Sequence, residues 1–204
     1  MKKIILMVMS LLYLAGIAAG QDFTAISEAF KRSYSYENES KFTEAAAELN
    51  KVYGADSYEI NLRLGWLNYK AGSYIESMEY YQKAIDLKPF AVEPRLGFVM
   101  PAAAAGNYNQ VEEQYNKILS VDPMNTTANY WLGMIFYNRE QFDTALKYFE
   151  KVANLYPFDY DSTIMYAWTN FKLGKLREAK VLFQKALLIK PGDSSALEGM
   201  GLIQ

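Results

Sequence analysis

The sequence contains no cysteine and no histidine among its 204 residues. Without cysteine there can be no disulfide bond, thiolate nucleophile or cysteine-ligated metal. Without histidine the commonest general base and the usual zinc ligand are missing. Charge is nearly balanced, with 21 Lys and Arg against 23 Asp and Glu, so no broad positive field would recruit nucleic acid. These absences predict a protein that is not an enzyme, with no catalytic residues, metal site, cofactor or nucleic-acid partner.

The first twenty residues have the layout of a secretory signal peptide. Residues 2–3 form a short basic head, residues 4–17 are mainly apolar, and residues 18–20 are small. We therefore expect cleavage after Gly20 and a bacterial-like protein that is periplasmic or secreted. The alternative is an inner-membrane anchor formed by residues 4–20, a length at the lower limit for crossing a bilayer.

Proline recurs at a fixed interval in the rest of the chain. Pro89, Pro123, Pro157 and Pro191 are 34 residues apart, and each follows an amphipathic segment. Because proline cannot continue a helix, each is expected to end a helix in a turn. Within the four segments a small residue, an aromatic residue and a small or branched residue recur at the same places. The matching aromatic residues are Tyr81, Tyr115, Phe149 and Phe183.

This pattern resembles the tetratricopeptide repeat, a pair of antiparallel helices that stacks on its neighbours. The resemblance implies an all-α fold, a right-handed α-solenoid of antiparallel helix pairs. Small residues in the first helix of a pair, Gly65, Gly133 and Ala167, let its two helices approach closely. The aromatic residue of the second helix then fills the space between neighbouring repeats.

The periodicity also predicts where the repeats begin and end. Four complete repeats are expected, preceded by a degenerate repeat and followed by a capping half-repeat that covers the last apolar face. The predicted ranges are 24–57 for the degenerate repeat, 58–91, 92–125, 126–159 and 160–193 for the complete repeats, and 194–204 for the cap.

The repeat at 92–125 departs from the pattern in its first helix. Its Leu96–Gly97 pair lies two residues earlier than in the neighbouring repeats, and Pro101 falls inside the helix. Because proline removes a backbone hydrogen bond, we expect a kink or bulge near residues 98–102. This irregularity either widens a ligand groove or is simply tolerated, and the second interpretation is the simpler one.

The resemblance further implies a ligand groove lined by the first helices of the repeats. In this family the fifth, ninth and twelfth positions of that helix face the concave side, and here they are mostly aromatic residues and methionine. Such side chains carry much of the binding energy at protein interfaces. The alternative is that some of them only pack helix against helix. The predicted groove residues are Tyr34, Leu62, Trp66, Tyr69, Met100, Tyr130, Met134, Tyr137, Trp168 and Phe171.

Three functions are compatible with this pattern. The leading hypothesis is a non-enzymatic interaction module that binds a peptide segment or a partner subunit in the aromatic groove, within the cell envelope. It would contact a membrane only by association with envelope complexes. The alternatives are a structural assembly component that contacts partners by its edges and terminal repeats, and a carbohydrate-binding module that stacks sugars on its aromatic residues.

Overall fold

The computed structural model describes residues 23–203, and all regular secondary structure in that range is helical. The predicted signal peptide at 1–20 lies outside the described residues, as does Gln204 at the end of the predicted cap. No helix of the described range is long and apolar enough to cross a membrane.

Eleven helices follow one another in the described range, joined by short turns. Helix α1 covers residues 23–38. The others are α2 (Phe42–Asn50), α3 (Tyr58–Lys70), α4 (Tyr74–Leu87), α5 (Glu93–Ala104), α6 (Tyr108–Val121), α7 (Thr126–Asn138), α8 (Phe142–Leu155), α9 (Tyr160–Lys172), α10 (Leu176–Ile189) and α11 (Ser194–Leu202).

Local sequence explains where the helices begin and reverse. Four helices start at a side chain that accepts a hydrogen bond from a backbone N–H three residues on, which satisfies one of the unpaired donors of the first turn. These capping residues are Ser57, Asn125, Asp159 and Asp193. The turn between α3 and α4 places Gly72 at φ 83°, a conformation that suits glycine. Glu140 adopts φ 60° at the corresponding turn between α7 and α8.

The chain divides between Asn107 and Tyr108 into two compact units. Unit 1 contains α1 to α5, in which α4 packs against both α3 and α5. Unit 2 contains α6 to α11, in which α8 packs against α7 and α9, and α10 against α9 and α11. The division falls inside the predicted repeat 92–125, between its two helices.

Buried aromatic rings packed on glycine hold neighbouring helices together within each unit. In unit 1, Tyr81 of α4 is 3% exposed and lies against both Gly65 of α3 and Gly97 of α5. In unit 2, the fully buried ring of Phe183 lies against Gly199 of α11 in the same way. The missing glycine side chains are therefore what lets the aromatic rings lie between the helices.

The contact at Gly97 corrects the expectation for the repeat at 92–125. The Leu96–Gly97 pair is not a displaced copy of the pair at residues 64–65, because Gly97 accommodates the aromatic ring of the preceding helix pair. A kink or bulge was expected near residues 98–102; no bulge interrupts them, since α5 is α-helical from Glu93 to Ala104, and the kink stays a prediction. Pro101 is buried within α5, which packs against α3 and α4, so tertiary contacts hold the helix where one backbone hydrogen bond is lost.

Candidate functional site

Unit 1 contains an open pocket of about 580 Å³ between α1, α3 and α5. Each of these helices contributes two apolar side chains spaced four residues apart, a spacing that places both on one face of a helix. Five of these six side chains are half-buried and the sixth, Tyr34, is 50% exposed, so the pocket walls are apolar and accessible. The pairs are Phe30 and Tyr34 on α1, Leu62 and Trp66 on α3, and Leu96 and Met100 on α5.

Four of the predicted groove residues therefore meet in one pocket, namely Tyr34, Leu62, Trp66 and Met100. Tyr69 is not among the residues that line it. Its ring instead lies beside the pocket, 6.0 Å from the ring of Trp66 and 6.1 Å from that of Tyr74 on α4.

A polar network fixes the aromatic wall of the pocket. Arg63 forms a short ion pair with Glu37 of α1, and its guanidinium carbon lies 3.9 Å from the centre of the Tyr34 ring. The indole Nε1 of Trp66 donates a hydrogen bond of 2.5 Å to the same carboxylate. Because one carboxylate holds both Arg63 and Trp66, it ties α1 to α3 and limits rotation of the indole.

The environment of Glu37 also sets its proton affinity. Burial by itself would raise the pKa of this carboxyl group. The hydrogen bonds from Arg63 and Trp66 and the charges of Arg63 and Lys70 lower the pKa by more than burial raises it. The net result is a pKa below the ordinary value of 4.5. A depressed pKa in the folded state means that the ionised form stabilises the fold.

Glu37→Gln is therefore expected to flatten the acid limb of the stability profile. In the wild type, the contribution of Glu37 is fully present above pH 4.5 and disappears as the pH falls through the lower pKa of the folded state. Urea unfolding of both proteins between pH 3 and pH 7 measures this. The wild type should be the more stable above pH 5, and the difference should shrink on acidification. Parallel profiles would contradict the assignment.

Two carboxylates stand at the mouth of the pocket. Glu93 accepts a hydrogen bond of 3.3 Å from the hydroxyl of Tyr58, and burial together with this carboxylate raises the pKa of Tyr58 to about 12. Glu59 lies 3.6 Å from the ammonium of Lys88 in an exposed ion pair, a type of pair that contributes little stability. Since Arg63 is paired with Glu37 and Glu59 with Lys88, Glu93 is the carboxylate at the mouth that forms no ion pair within the described range.

The predicted groove residues of unit 2 have different surroundings. Tyr130 lines a second pocket, of about 310 Å³, near the first turns of α7 and α9. Trp168 packs edge-on against Phe183 at 4.9 Å, and its Nε1 donates a hydrogen bond of 2.8 Å to Ser195 Oγ. Phe171 packs against the same buried cluster. These two residues thus contribute to the core of unit 2 while remaining partly exposed.

The remaining two predicted residues of unit 2 are also half-buried. The ring of Tyr137 lies edge-on at 5.3 Å from Phe142, across the turn that joins α7 to α8, and burial raises the pKa of its hydroxyl. Met134 lies one turn before Tyr137 on α7. Both belong to α7, the helix that also carries Tyr130.

Sequence reasoning left several pocket residues out of the predicted site. Arg63, Glu59 and Glu93 all line the pocket, but they are charged and were not sought in an apolar groove. A usable signal was present, because Glu59 and Glu93 both occupy the second position of a predicted repeat. Their recurrence at 34 residues marks one side of the first helices as acidic.

Comparison with known proteins identifies the helix pairs. Residues 30–92 match the family model described as the tetratricopeptide repeat. Residues 104–186 match the family model described as subunit 3 of the anaphase-promoting complex, or cyclosome. The chain contains tetratricopeptide repeats. Tetratricopeptide-repeat proteins generally mediate protein–protein interactions, and their fold is typically a non-catalytic scaffold.

Two curated relatives match most of the chain. The human protein O-mannosyl-transferase TMTC1 is 30% identical over 156 residues, which cover 74% of this chain and 18% of that protein. The tetratricopeptide repeat-containing protein YpiA of Bacillus subtilis (strain 168) is 25% identical over 158 residues, which cover 76% of this chain and 36% of that protein. The chain thus spans only a minor part of the length of either relative.

Solved structures agree with the fold. A tetratricopeptide repeat protein from Parabacteroides merdae ATCC 43184 superimposes with a TM-score of 0.75 at 17% identity, covering 88% of this chain and 72% of that one. MamA from Desulfovibrio magneticus RS-1 gives a TM-score of 0.70 at 15% identity, covering 83% and 97%. At these identities the likeness establishes the helical repeat fold alone.

Proposed function

We propose that the protein is a non-enzymatic binding module whose unit 1 pocket holds a bulky apolar side chain of a partner peptide. The observation that carries this proposal is the open pocket of about 580 Å³, whose walls are apolar side chains from three helices. Pockets of this size with mainly apolar walls and a few fixed polar groups are the usual form of ligand sites.

Pre-organisation of the pocket supports binding. Trp66 is already oriented by its hydrogen bond to Glu37, so little side-chain freedom remains to be lost when a ligand arrives. Arg63 is 12% exposed at its side chain, and its Nε has no hydrogen-bond partner although it is buried. The guanidinium group of Arg63 is held instead by its ion pair with Glu37 and by the ring of Tyr34, so it too is fixed before a ligand arrives.

The charged side chains at the mouth of the pocket restrict which peptide sequences should bind. Glu59 and Glu93 flank the apolar walls; Glu59 is paired with the exposed Lys88, and Glu93 forms no ion pair within the described range. Complementary charges favour association of correct partners and disfavour like-charged ones. The best ligand is therefore a segment with a bulky apolar residue next to a lysine or arginine.

Selection from a random peptide library displayed on phage tests the proposal. Peptides retained by the wild-type protein should share a bulky apolar residue beside a basic one. A synthetic peptide of that sequence should bind Leu96→Trp at least about tenfold more weakly, because the larger side chain fills the pocket that the ligand needs. Affinity is measured by fluorescence anisotropy, and thermal melting confirms that the variant is folded.

A charge variant in the same unit provides the matched control. Glu79→Lys changes an exposed residue of α4 that does not line the pocket, so it should leave the peptide affinity unchanged. Glu93→Lys at the mouth should weaken binding of the basic peptide. Selected peptides that bind the wild type and a folded Leu96→Trp equally well would show that the pocket is not the binding site.

The proposed cellular location is outside the cytoplasm, either periplasmic or secreted, and rests on the order of basic, apolar and small residues at 1–20. In that case the protein isolated from its native cell should begin at Gln21, which N-terminal sequencing would establish. A protein that retains residues 1–20 would favour the anchored alternative.

A further inference from the structure

A second pocket, of about 310 Å³, lies entirely within unit 2. It is formed by the first turns of α7, the end of α8 and the first turn of α9. The volume is at the lower end of the range for small-ligand sites, which suits one inserted side chain rather than a helix or a long segment. Nothing in the unit 1 proposal depends on this pocket.

Aromatic side chains remain exposed to solvent around this second pocket. Trp131 is 47% exposed and Tyr156 is 58% exposed. Tyr130 stands edge-on to Trp131, with 5.5 Å between the ring centres and an interplanar angle of 81°. Exposed aromatic faces beside a concave surface are favourable places for a cation, because the face of the ring carries negative electrostatic potential.

Two carboxylates line the same pocket. Asp159 accepts a hydrogen bond of 2.8 Å from the backbone N–H of Ser162, so it already caps the first turn of α9. Asp161 has no ion pair or hydrogen bond within the described range, and no lysine or arginine lines the pocket. Both carboxylates act on Tyr130, whose pKa is raised by burial and then by the charges of Asp161 and Asp159.

The geometry points to a binding site for an arginine side chain of a partner protein, formed by Trp131, Tyr130, Tyr156 and Asp161. The guanidinium group is planar and delocalised, so it stacks on aromatic faces and donates two parallel hydrogen bonds to a carboxylate. Asp159 adds negative charge, although its Oδ1 is taken by the helix. Aromatic rings beside a carboxylate are the chemistry that suits an organic cation such as a guanidinium group.

The test titrates the protein with N-acetyl-arginine amide and follows the three tryptophan indole N–H signals by NMR. N-acetyl-citrulline amide has nearly the same shape without the charge and serves as the neutral comparison. The Trp131 signal, assigned with Trp131→Phe, should shift in a saturable way with the arginine compound. The citrulline compound should bind about tenfold more weakly, because it gains neither the cation–π contact nor the ion pair.

The variant Asp161→Asn tests whether the carboxylate of Asp161 contributes to arginine binding. This substitution should weaken arginine binding about three- to tenfold, as expected for loss of a charged partner to a guanidinium. The matched control is Asp143→Asn in the first turn of α8, an exposed residue of the same unit that does not line the pocket. Thermal melting of both variants verifies that the fold is retained.

Three results would overturn the proposal. They are an unchanged Trp131 signal up to the solubility limit of the arginine compound, an equal response to citrulline, and an affinity that Asp161→Asn does not change. Trp66 reports separately on the unit 1 pocket, so failure at Trp131 leaves the peptide proposal standing. Conversely, failed peptide selection would leave arginine binding at unit 2 intact.

Discussion

Phe149→Ala is expected to lower the free energy of unfolding by about 3–5 kcal/mol, the usual cost of removing a buried aromatic ring. Phe149 is fully buried, and its ring lies edge-on to Tyr130 at 5.9 Å. A methyl group added at Gly133 would lie 2.7 Å from it, so the space around the ring is closely filled. The Phe149 ring thus fills the space between α7 and α8, and its truncation leaves a cavity there.

Urea unfolding followed by circular dichroism measures this loss. Phe158→Ala is the matched control, because Phe158 follows α8 in the same unit and is 75% exposed. Its truncation should change the unfolding free energy by less than about 0.5 kcal/mol. Similar losses for the two variants would mean that Phe149 does not contribute to the core as described.

Gly97→Ala is expected to destabilise the protein by about 1–3 kcal/mol, although alanine is normally the better helix former. The added methyl group would overlap the Tyr81 ring, which is held on its other side by Gly65. Because the Tyr81 ring is held between Gly65 and Gly97, it cannot move aside, and α5 would have to shift away from α4. The sign of this effect is the opposite of what helix propensity alone predicts.

Two further variants separate crowding from propensity. Gly201→Ala in α11 meets open space, so it should be neutral or slightly stabilising. Tyr81→Leu should be destabilising by itself, but Gly97→Ala should cost less in that background because the crowded ring is gone. Additive losses in the double variant would rule out Tyr81 as the cause.

Much of the fold was predictable because its signals are local and repeated. The prolines at 89, 157 and 191 follow the helices that end at Leu87, Leu155 and Ile189. The function of Gly97 was missed for a different reason. The sequence pattern assigns each glycine to a contact between the two helices of its own repeat. Gly97 instead contacts the ring of Tyr81, 16 residues earlier in the preceding helix pair. Because this contact joins two neighbouring helix pairs, the residues next to Gly97 in the sequence do not indicate it.

The candidate site was predictable only in part. Spacing by four residues correctly grouped Leu62 with Trp66 on one side of α3. It could not distinguish Trp66, which lines a pocket, from Trp168, which packs on the core ring of Phe183, because both occupy the same position of their repeats. The pairing of Arg63 with Glu37 crosses 26 residues of chain and depends on how α1 meets α3.

The aromatic–glycine contacts restrict how such an array can be rearranged. Tyr81 fits because the following repeat offers Gly97 at its sixth position. Trp131 stands at that position in the predicted repeat 126–159, where the Tyr81 ring would meet an indole. Repeats of this chain are thus not interchangeable modules. Duplication or shuffling of 58–91 would succeed only if its new successor also carried the glycine.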